Sequence, residues 1–521
     1  MSPMSSMPFW IAVHLPRLPL DALQPAWPGA QARALPGLLE QAAPVAVLEQ
    51  ERVVLANAAA MALGVRYGMR RGGVQALSAE VVQLEREPAA EAELMAAAAL
   101  ALLRFTPQVA CDDEGATLML DVSASLRLFG GHRALCRAVR ACVRRLGAVP
   151  QLGCGSSARG AAWLAAQPLR RGRHGVVVRP PRRALRPARM ARLLDRLPVE
   201  ALYRLADPAW LDGIGCRTVG EVRALPRAAL KRRVGPGLLE GLDQAYGEAP
   251  DSLPWFVAPP VFARRMDLPG RIEGAEGVLA GAQRLLLAMA GWLAGQQAGA
   301  TRFVLVLEHE RYRAGEAPQG TPVEVALAQP SRDPEHLSKL LQERLGQLRF
   351  GAPVVGLGLK VEAMQESLPR SASLFPEPGA EAAALGRVLD TLVARLGRDG
   401  VLQPRPLADH RPERASRWCA LDEDAPGPAL PAGIPLPERP LWLLAEPVPL
   451  AARQERPCHG GPMRLLTRPE RIESGWWDGA LASRDYYIAE RSDGVRCWVY
   501  CVYLGHGADV TAHWYLHGLF A

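Results

Sequence analysis

The sequence predicts an α+β chain of several domains, and three observations lead there. Strand and helix patterns interleave from residue 9 to about residue 167. Residues 262–365 read strand, helix, strand, strand, helix, strand. From Trp442 to the last residue the pattern is aromatic and β-like. With 521 residues, and about 150 residues per domain, three or four units are expected.

The elements follow in order. FWIAVHL (9–15) is an apolar run of strand length. Residues 44–56 look like two short strands around a polar turn, and NAAAMALGV (57–65) is a helix with Gly64 as its C-cap. Residues 89–103 form an alanine-rich helix. QVACDDEGATLMLDVS is a hairpin with Asp-Glu-Gly at its tip. Helices over 132–146 and 156–167 flank a strand near Pro150–Cys154. Residues 170–196 hold ten arginines and one acid, Asp195, and read as a basic connector. Residues 197–247 are short helices with glycine turns. Within 262–365 the clearest parts are the strand Thr301–Glu308, the helix Asp333–Leu348 and the strand Val354–Val361. Residues 366–445, rich in Pro, Gly, Ala and Glu, are read as linker.

The net charge is +8, which fits a polyanion partner without requiring one. No apolar run approaches the roughly 20 residues of a membrane helix, and the N-terminal apolar stretch lacks the basic flank of a signal peptide. Nine cysteines are scattered without a C-x-x-C pair, a reduced, cytosolic pattern. Cys497 and Cys501 share a face of one strand.

Several words carry a family resemblance. VVLANAAAMALGVRYGMRRGGVQAL (53–77), LMLDVSASLRLFGG (118–131) and LDGIGCRTVGEVRALP (211–226) resemble the fingers segment, the second palm motif and the thumb hairpin of Y-family DNA polymerases. RDYYIAERSDGVRCWVYCVY and WYLHGLFA resemble the ImuB family, the Y-family-like branch of the bacterial ImuA–ImuB mutasome. The resemblance implies a right hand: palm-like 1–30 and 76–169, fingers-like 31–75, connector and helical thumb 170–257, and little finger 258–365. A linker with a clamp peptide (366–440) and a C-terminal partner-binding region (441–521) complete it.

It also implies a missing catalytic site. Polymerases use two Mg²⁺ ions held by carboxylates at palm strand ends. At the matching positions the sequence has His14 and Pro16 on the first strand, and Ala116 and Thr117 before the second motif. Only Asp121 is acidic. Asp112, Asp113 and Glu114 fall several residues out of step, and only a bulge could re-aim one of them. Ala58 and Met61 stand where an active member offers Tyr and Arg to a triphosphate. No cofactor or metal is expected, and the chain reads as non-catalytic.

DNA contacts are expected at the helix-hairpin-helix turn (Gly213, Gly215, Arg217, Thr218), whose N–H groups suit a phosphate. Arg264 and Arg265 on the first little-finger strand are expected to grip template backbone. Arg133, Arg137, Arg140 and Arg144 form one helix face that tracks phosphates or is merely solvated. Leu374-Phe375 matches the apolar anchor of a sliding-clamp peptide, with Ser371 in place of its Gln. The resemblance further implies ImuA, an error-prone C-family replicative-type polymerase and RecA as partners, in a cytoplasmic, nucleoid-associated protein acting in translesion synthesis. Two other readings stay open: an active translesion polymerase, and a DNA-independent interaction protein.

Overall fold

The computed structural model describes residues 8–24, 43–112, 116–168, 170–171, 177–178, 180–310, 320–367, 380–421, 438–504 and 511–520. It divides into two compact units, Met1–Arg395 and Leu396–Ala521.

The first unit starts with β1 (Trp10–His14) and α1 (Leu18–Leu23). A small three-stranded sheet follows, from β2 (Val45–Glu49), β3 (Arg52–Ala56) and β4 (Val82–Glu85), with α2 (Ala58–Ala62) and α3 (Arg71–Leu77) between β3 and β4. The Asn57 side chain caps α2 by accepting from Ala60 N–H, and Gly64 ends its turn with φ at 102°.

The chain then returns through α4 (Pro88–Leu102), β5 (Val109–Asp112), β6 (Thr117–Asp121), α5 (His132–Arg145), β7 (Gln151–Gly155) and α6 (Ala158–Ala166). The palm sheet has the order β5-β6-β1-β7. Its inner residues, Ile11, Val13, Leu118 and Leu120, are buried under α4 and α5. On its outer face Ala12, Ala110 and Met119 meet Ala158, Ala161 and Ala165 of α6. Gly153 on β7 lets α6 approach this closely, since a Cβ there would lie 2.6 Å from Ala165 N.

After the short strands β8 (Arg170–Arg171) and β9 (Val177–Val178) come the thumb helices α7 (Pro187–Asp195), α8 (Pro208–Gly213), α9 (Val219–Ala224), α10 (Arg227–Val234) and α11 (Pro236–Tyr246), with their own core around Leu194, Leu211, Val219 and Leu242.

The next domain is β10 (Ala263–Ile272), α12 (Ala275–Gly295), β11 (Ala298–His309), β12 (Gly320–Ser331), α13 (Pro334–Gly346) and β13 (Val354–Glu366), with sheet order β10-β13-β11-β12. Asp333 caps α13 by accepting from Glu335 N–H. α12 is buried on two sides: it packs on its own sheet and on α4 of the palm, and one continuous core runs through both domains. Gly291 sits at the crossing, where an added Cβ would lie 2.7 Å from Ala101 Cα and collide with the Leu100 carbonyl oxygen. The first unit is therefore layered: α6, palm sheet, α4 with α5, α12 with α13, second sheet. α12 is also long and apolar enough to cross a membrane by length and composition, contrary to the expectation that no such run exists; its most apolar window is 78% buried in this core.

Residues 380–421 differ from the linker expected of them. α14 (Ala380–Leu396) docks on the second domain. Asp390 is buried and accepts from Ala328 N–H (2.6 Å) and pairs with His336 Nε2 (3.2 Å). In the second unit β14 (Leu402–Pro406) and β15 (Ser416–Ala420) form a hairpin. The remaining strands are β16 (Trp442–Arg453), β17 (Arg456–Cys458), β18 (Arg464–Leu465), β19 (Glu470–Ser474), β20 (Ala482–Glu490), β21 (Arg496–Leu504) and β22 (Thr511–Leu519). They form one sheet along β17-β16-β22-β21-β20-β18, with β19 also on β20.

Candidate functional site

Alternation along β1 places Trp10, Ala12 and His14 on the outer face of the palm sheet. Register then decides what meets His14. It lies opposite Thr117 on β6 and Gln151 on β7, and Thr117 lies opposite Asp112 on β5. A polar row, Asp112-Thr117-His14-Gln151, thus closes this end of the sheet. His14 Nδ1 and Thr117 Oγ1 are 3.0 Å apart. Next to them the backbone closes too: Leu15 N–H donates to the carbonyl of Ala116 at 2.9 Å, and Ala116 takes a left-handed φ of 48°. Pro16 follows in the turn that leads to α1. Of the four positions that the family resemblance singles out, His14 meets Thr117 and Ala116 is bonded through its carbonyl beside them, while Pro16 follows in the turn; they carry an imidazole, a hydroxyl and two apolar side chains.

Asp121 is elsewhere. It lies opposite Trp10 at the other end of β1, four residues and about 13 Å along the strand. Its Oδ1 accepts from Ser123 Oγ (2.6 Å) and Ser123 N–H (3.0 Å), so it caps the turn after β6.

Asp112 requires a correction. Its spacing from Asp121 in the sequence puts it several residues out of step with the site. It is instead the last residue of β5, on the same face as Thr117 and His14. The reason is that β5 runs antiparallel beside β6, so a residue distant in sequence comes level with Thr117. Its carboxylate pairs with Arg204 of the thumb at 2.6 Å. Asp113 and Glu114 lie outside the described residues. Among the described residues no group of three His, Cys, Asp or Glu side chains could hold a metal. On α2, Ala58 and Met61 are exposed.

The thumb hairpin has the expected turn, with Gly215 at φ 89° and open space around Gly213 and Gly215. Its donors are already used. Thr218 and Glu221 make a capping box, and Glu221 Oε2 accepts from Arg217 N–H (2.6 Å) and Thr218 N–H (3.0 Å). These bonds hold the Glu221 carboxyl below its usual range. Gly215 N–H and Cys216 N–H donate to Asp212 and Leu211 carbonyls. A phosphate here would meet the Arg217 side chain and a competing carboxylate.

Arg264 and Arg265 do not act as a pair. As neighbours on a strand they face opposite sides. Arg264 is half-buried on the inner side, lining a cleft of about 490 Å³ with Arg284, Glu93 and Leu285. Arg265 faces out, but Glu308 holds it at 2.7–2.9 Å and Asp267 at 2.7 Å. Arg302 pairs with Glu324 and Lys360 with Glu362. The stronger basic surface is on the palm. Arg133, Arg137 and Arg144 are exposed on α5, opposite buried Leu135, Val139, Cys142 and Leu146, as the helical period required. Arg140 lies beside Arg183 of the connector; its burial and that second guanidinium lower its pKa. Arg186, Arg189, Arg192 and Arg196 add exposed charge nearby in sequence.

Leu374 and Phe375 lie outside the described residues. In the second unit the aromatic words divide between core and surface. Tyr486 stacks on Trp498 with centroids 4.1 Å apart and hydrogen-bonds His517 Nδ1 at 2.8 Å, which makes His517 a core residue. Cys497 and Cys501 are buried on one face. Trp476 and Trp477 are exposed, and the turn that bears them is fixed by buried Arg411, which pairs with Asp409 and Asp478 and lies over the Trp477 ring.

Comparison with known proteins now adds to this geometry. Residues 30–167 match the model described as "IMS: impB/mucB/samB family". Over 501 aligned residues the chain is 31% identical to Protein ImuB of Caulobacter vibrioides, in two strains, covering 88% of this chain and 100% of that one. The chain belongs to the ImuB family. Its fold is a Y-family polymerase-like right hand with a C-terminal β-rich region. Solved structures give a looser likeness: a Dbh ternary complex and a Dbh–Dpo4–Dbh Y-family polymerase chimera each match at 14% identity and a TM-score of 0.35, covering 68% of this chain and 98% of theirs.

Proposed function

We propose that this ImuB-family chain is a non-catalytic polymerase homologue that binds primed or damaged DNA and assembles an error-prone translesion complex around it. The His14–Thr117 hydrogen bond carries the reading. It fills the strand end where metal-binding carboxylates are expected, while Asp121 caps a turn at the far end. Two hard oxygen-liganded Mg²⁺ ions need converging carboxylates; the imidazole and hydroxyl supply none, and the one carboxylate in the row, Asp112, is paired with Arg204.

DNA is held without sequence readout, chiefly by the arginine face of α5 with Arg140, Arg183 and the connector, and more weakly by Arg217. Leu374-Phe375 engages the sliding clamp. The β-rich region, with Trp476 and Trp477 held outward, engages ImuA and the C-family polymerase that performs synthesis, and RecA joins the assembly. The protein acts in the cytoplasm at the nucleoid.

A second reading has an observation in its favour. The outward cations of the second sheet are paired with acids, and the thumb turn spends its N–H groups on Glu221. Both features suit an interaction protein that does not need DNA. Fluorescence anisotropy on primed DNA across a salt series separates the two. The DNA-binding reading requires affinity that falls steeply with salt and weakens in Arg137→Glu/Arg144→Glu. Salt-independent or absent binding supports the interaction protein.

A further inference from the structure

Cys136 on α5 and Cys154 on β7 face each other in the palm core, with their sulfurs 3.5 Å apart. Both are buried. Two arginines lie against this pair. Arg140 is one turn along α5 from Cys136, and Arg183 belongs to a segment that pairs with Cys154: Ala184 N–H donates to the Cys154 carbonyl, and Cys154 N–H to that of Arg182. Neither Arg140 nor Arg183 is in an ion pair within 4 Å among the described residues, and the charge of each favours a thiolate at this spot. The chemistry of the thiols agrees. The hydrogen bond from Cys154, then Arg183 and Arg140, brings Cys136 down to about 7, while the same bond and burial push Cys154 up. One member of the pair is thus poised as a nucleophile and the other as a proton-bearing partner.

A comparison within the same helix sharpens this. Cys142 is also buried and also has two guanidiniums acting on it, those of Arg104 and Arg145, but it has no second sulfur against it in the contacts described, and burial pushes it up to about 11. Burial there prevails over the two arginines and leaves an inert thiol. The second sulfur, at 3.5 Å, makes Cys136 different.

We propose that Cys136 and Cys154 are an oxidisable dithiol, which a peroxide converts to a disulfide joining α5 to β7. The Cys136 thiolate attacks one oxygen of hydrogen peroxide, the O–O bond breaks, and a sulfenic acid and hydroxide form. The sulfur of Cys154 then attacks the sulfenic sulfur; the S–S bond forms, the S–O bond breaks, and the Cys154 proton leaves in water. Two thiols lose two electrons and the peroxide is reduced to two waters. The step needs no large movement, because the sulfurs already touch. It removes the thiolate that faces Arg140 and Arg183.

The test uses the reduced, desalted full chain, treated with a small excess of hydrogen peroxide and then alkylated under denaturing conditions. Nine free thiols are expected to fall to seven, with a Cys136–Cys154 cross-linked peptide in the non-reducing digest. Dithiothreitol should restore all nine. Nine surviving thiols, or a loss that maps to other cysteines, would overturn the proposal. Cys136→Ser gives a second check that does not depend on the cross-link: its eight remaining cysteines should resist the same treatment, and continued loss of Cys154 would count against the pairing. If that variant does not fold, the wild-type peptide map decides alone.

Discussion

Gly291 offers the sharpest test of how this hand is assembled. Replacing a glycine inside a helix by alanine ordinarily gains about 1 kcal/mol. At Gly291 the new Cβ would lie 2.7 Å from Ala101 Cα, about 1 Å inside ordinary contact distance. It would also collide with the Leu100 carbonyl, which belongs to a helix backbone and has no rotamer to yield. α12 and α4 must then separate along a core that both domains share. Overpacking costs about 1–3 kcal/mol, and a clash with fixed backbone belongs at the upper end, so about 2 kcal/mol of destabilisation remains after the gain of about 1 kcal/mol and the sign reverses. At about 2–4 °C per kcal/mol for a large domain, Gly291→Ala should lower Tm by on the order of 5 °C. Gly346→Ala is the matched control, since open space surrounds that position near the end of α13, and it should be neutral or slightly stabilising. Thermal unfolding of both variants decides it. If Gly291→Ala is as stable as the wild type, the two helices do not meet as described and the shared core is wrong.

Three further outcomes follow from the same geometry. Asp21 is fully buried, and burial, only partly offset by Arg17 and the Val149 N–H, raises it to about 6. Its folded pKa exceeds the unfolded 3.8, so the fold favours the proton. Stability should fall as pH rises from about 4 to 6 and then level off, by at most about 3 kcal/mol. Asp21→Asn keeps an acceptor for Val149 and should remove that slope in urea titrations; an unchanged slope would assign it to other groups. Asp121→Ala should cost about 1 kcal/mol through its lost turn bonds, and Mg²⁺ should stabilise neither protein; Mg²⁺-dependent stabilisation that only the wild type shows would make Asp121 a ligand. Asp390→Ala leaves Ala328 N–H and His336 unpaired in a buried site, costing about 1–3 kcal/mol, and proteolysis should then cut at α14 first; a protected α14 would mean other contacts hold it.

Much of this was readable from the residues. β1, the β5–β6 hairpin, α5 and the βαββαβ domain follow from apolar period and turn chemistry, and Gly64 and Asp333 cap as their types require. His14 and Thr117 were singled out by the family resemblance, and the antiparallel register of β1 with β6 brings them level. Asp112 was misplaced because its approach depends on the neighbouring strand, which linear counting ignores. α14 was hidden for a different reason. Its inward positions, Gly386, Asp390 and Ala394, are small or polar, while Leu385, Val388, Leu392 and Leu396 face out. An apolar-stripe reading would have buried the wrong side. The pairing of Arg265 with Glu308, and the use of Glu221 to fill the thumb turn, rest on contacts between distant or alternative partners that no local pattern signals.

The most direct test of the central claim is single-turnover nucleotide incorporation, with the purified chain in excess over a primed template, Mg²⁺ and all four dNTPs, and DNA binding followed in the same tubes. The account predicts salt-sensitive binding and no extended primer until a C-family polymerase is added. Extension by the chain alone that is lost in Asp112→Ala would contradict it, and would show that the strand end closed by His14 and Thr117 still holds catalytic metal.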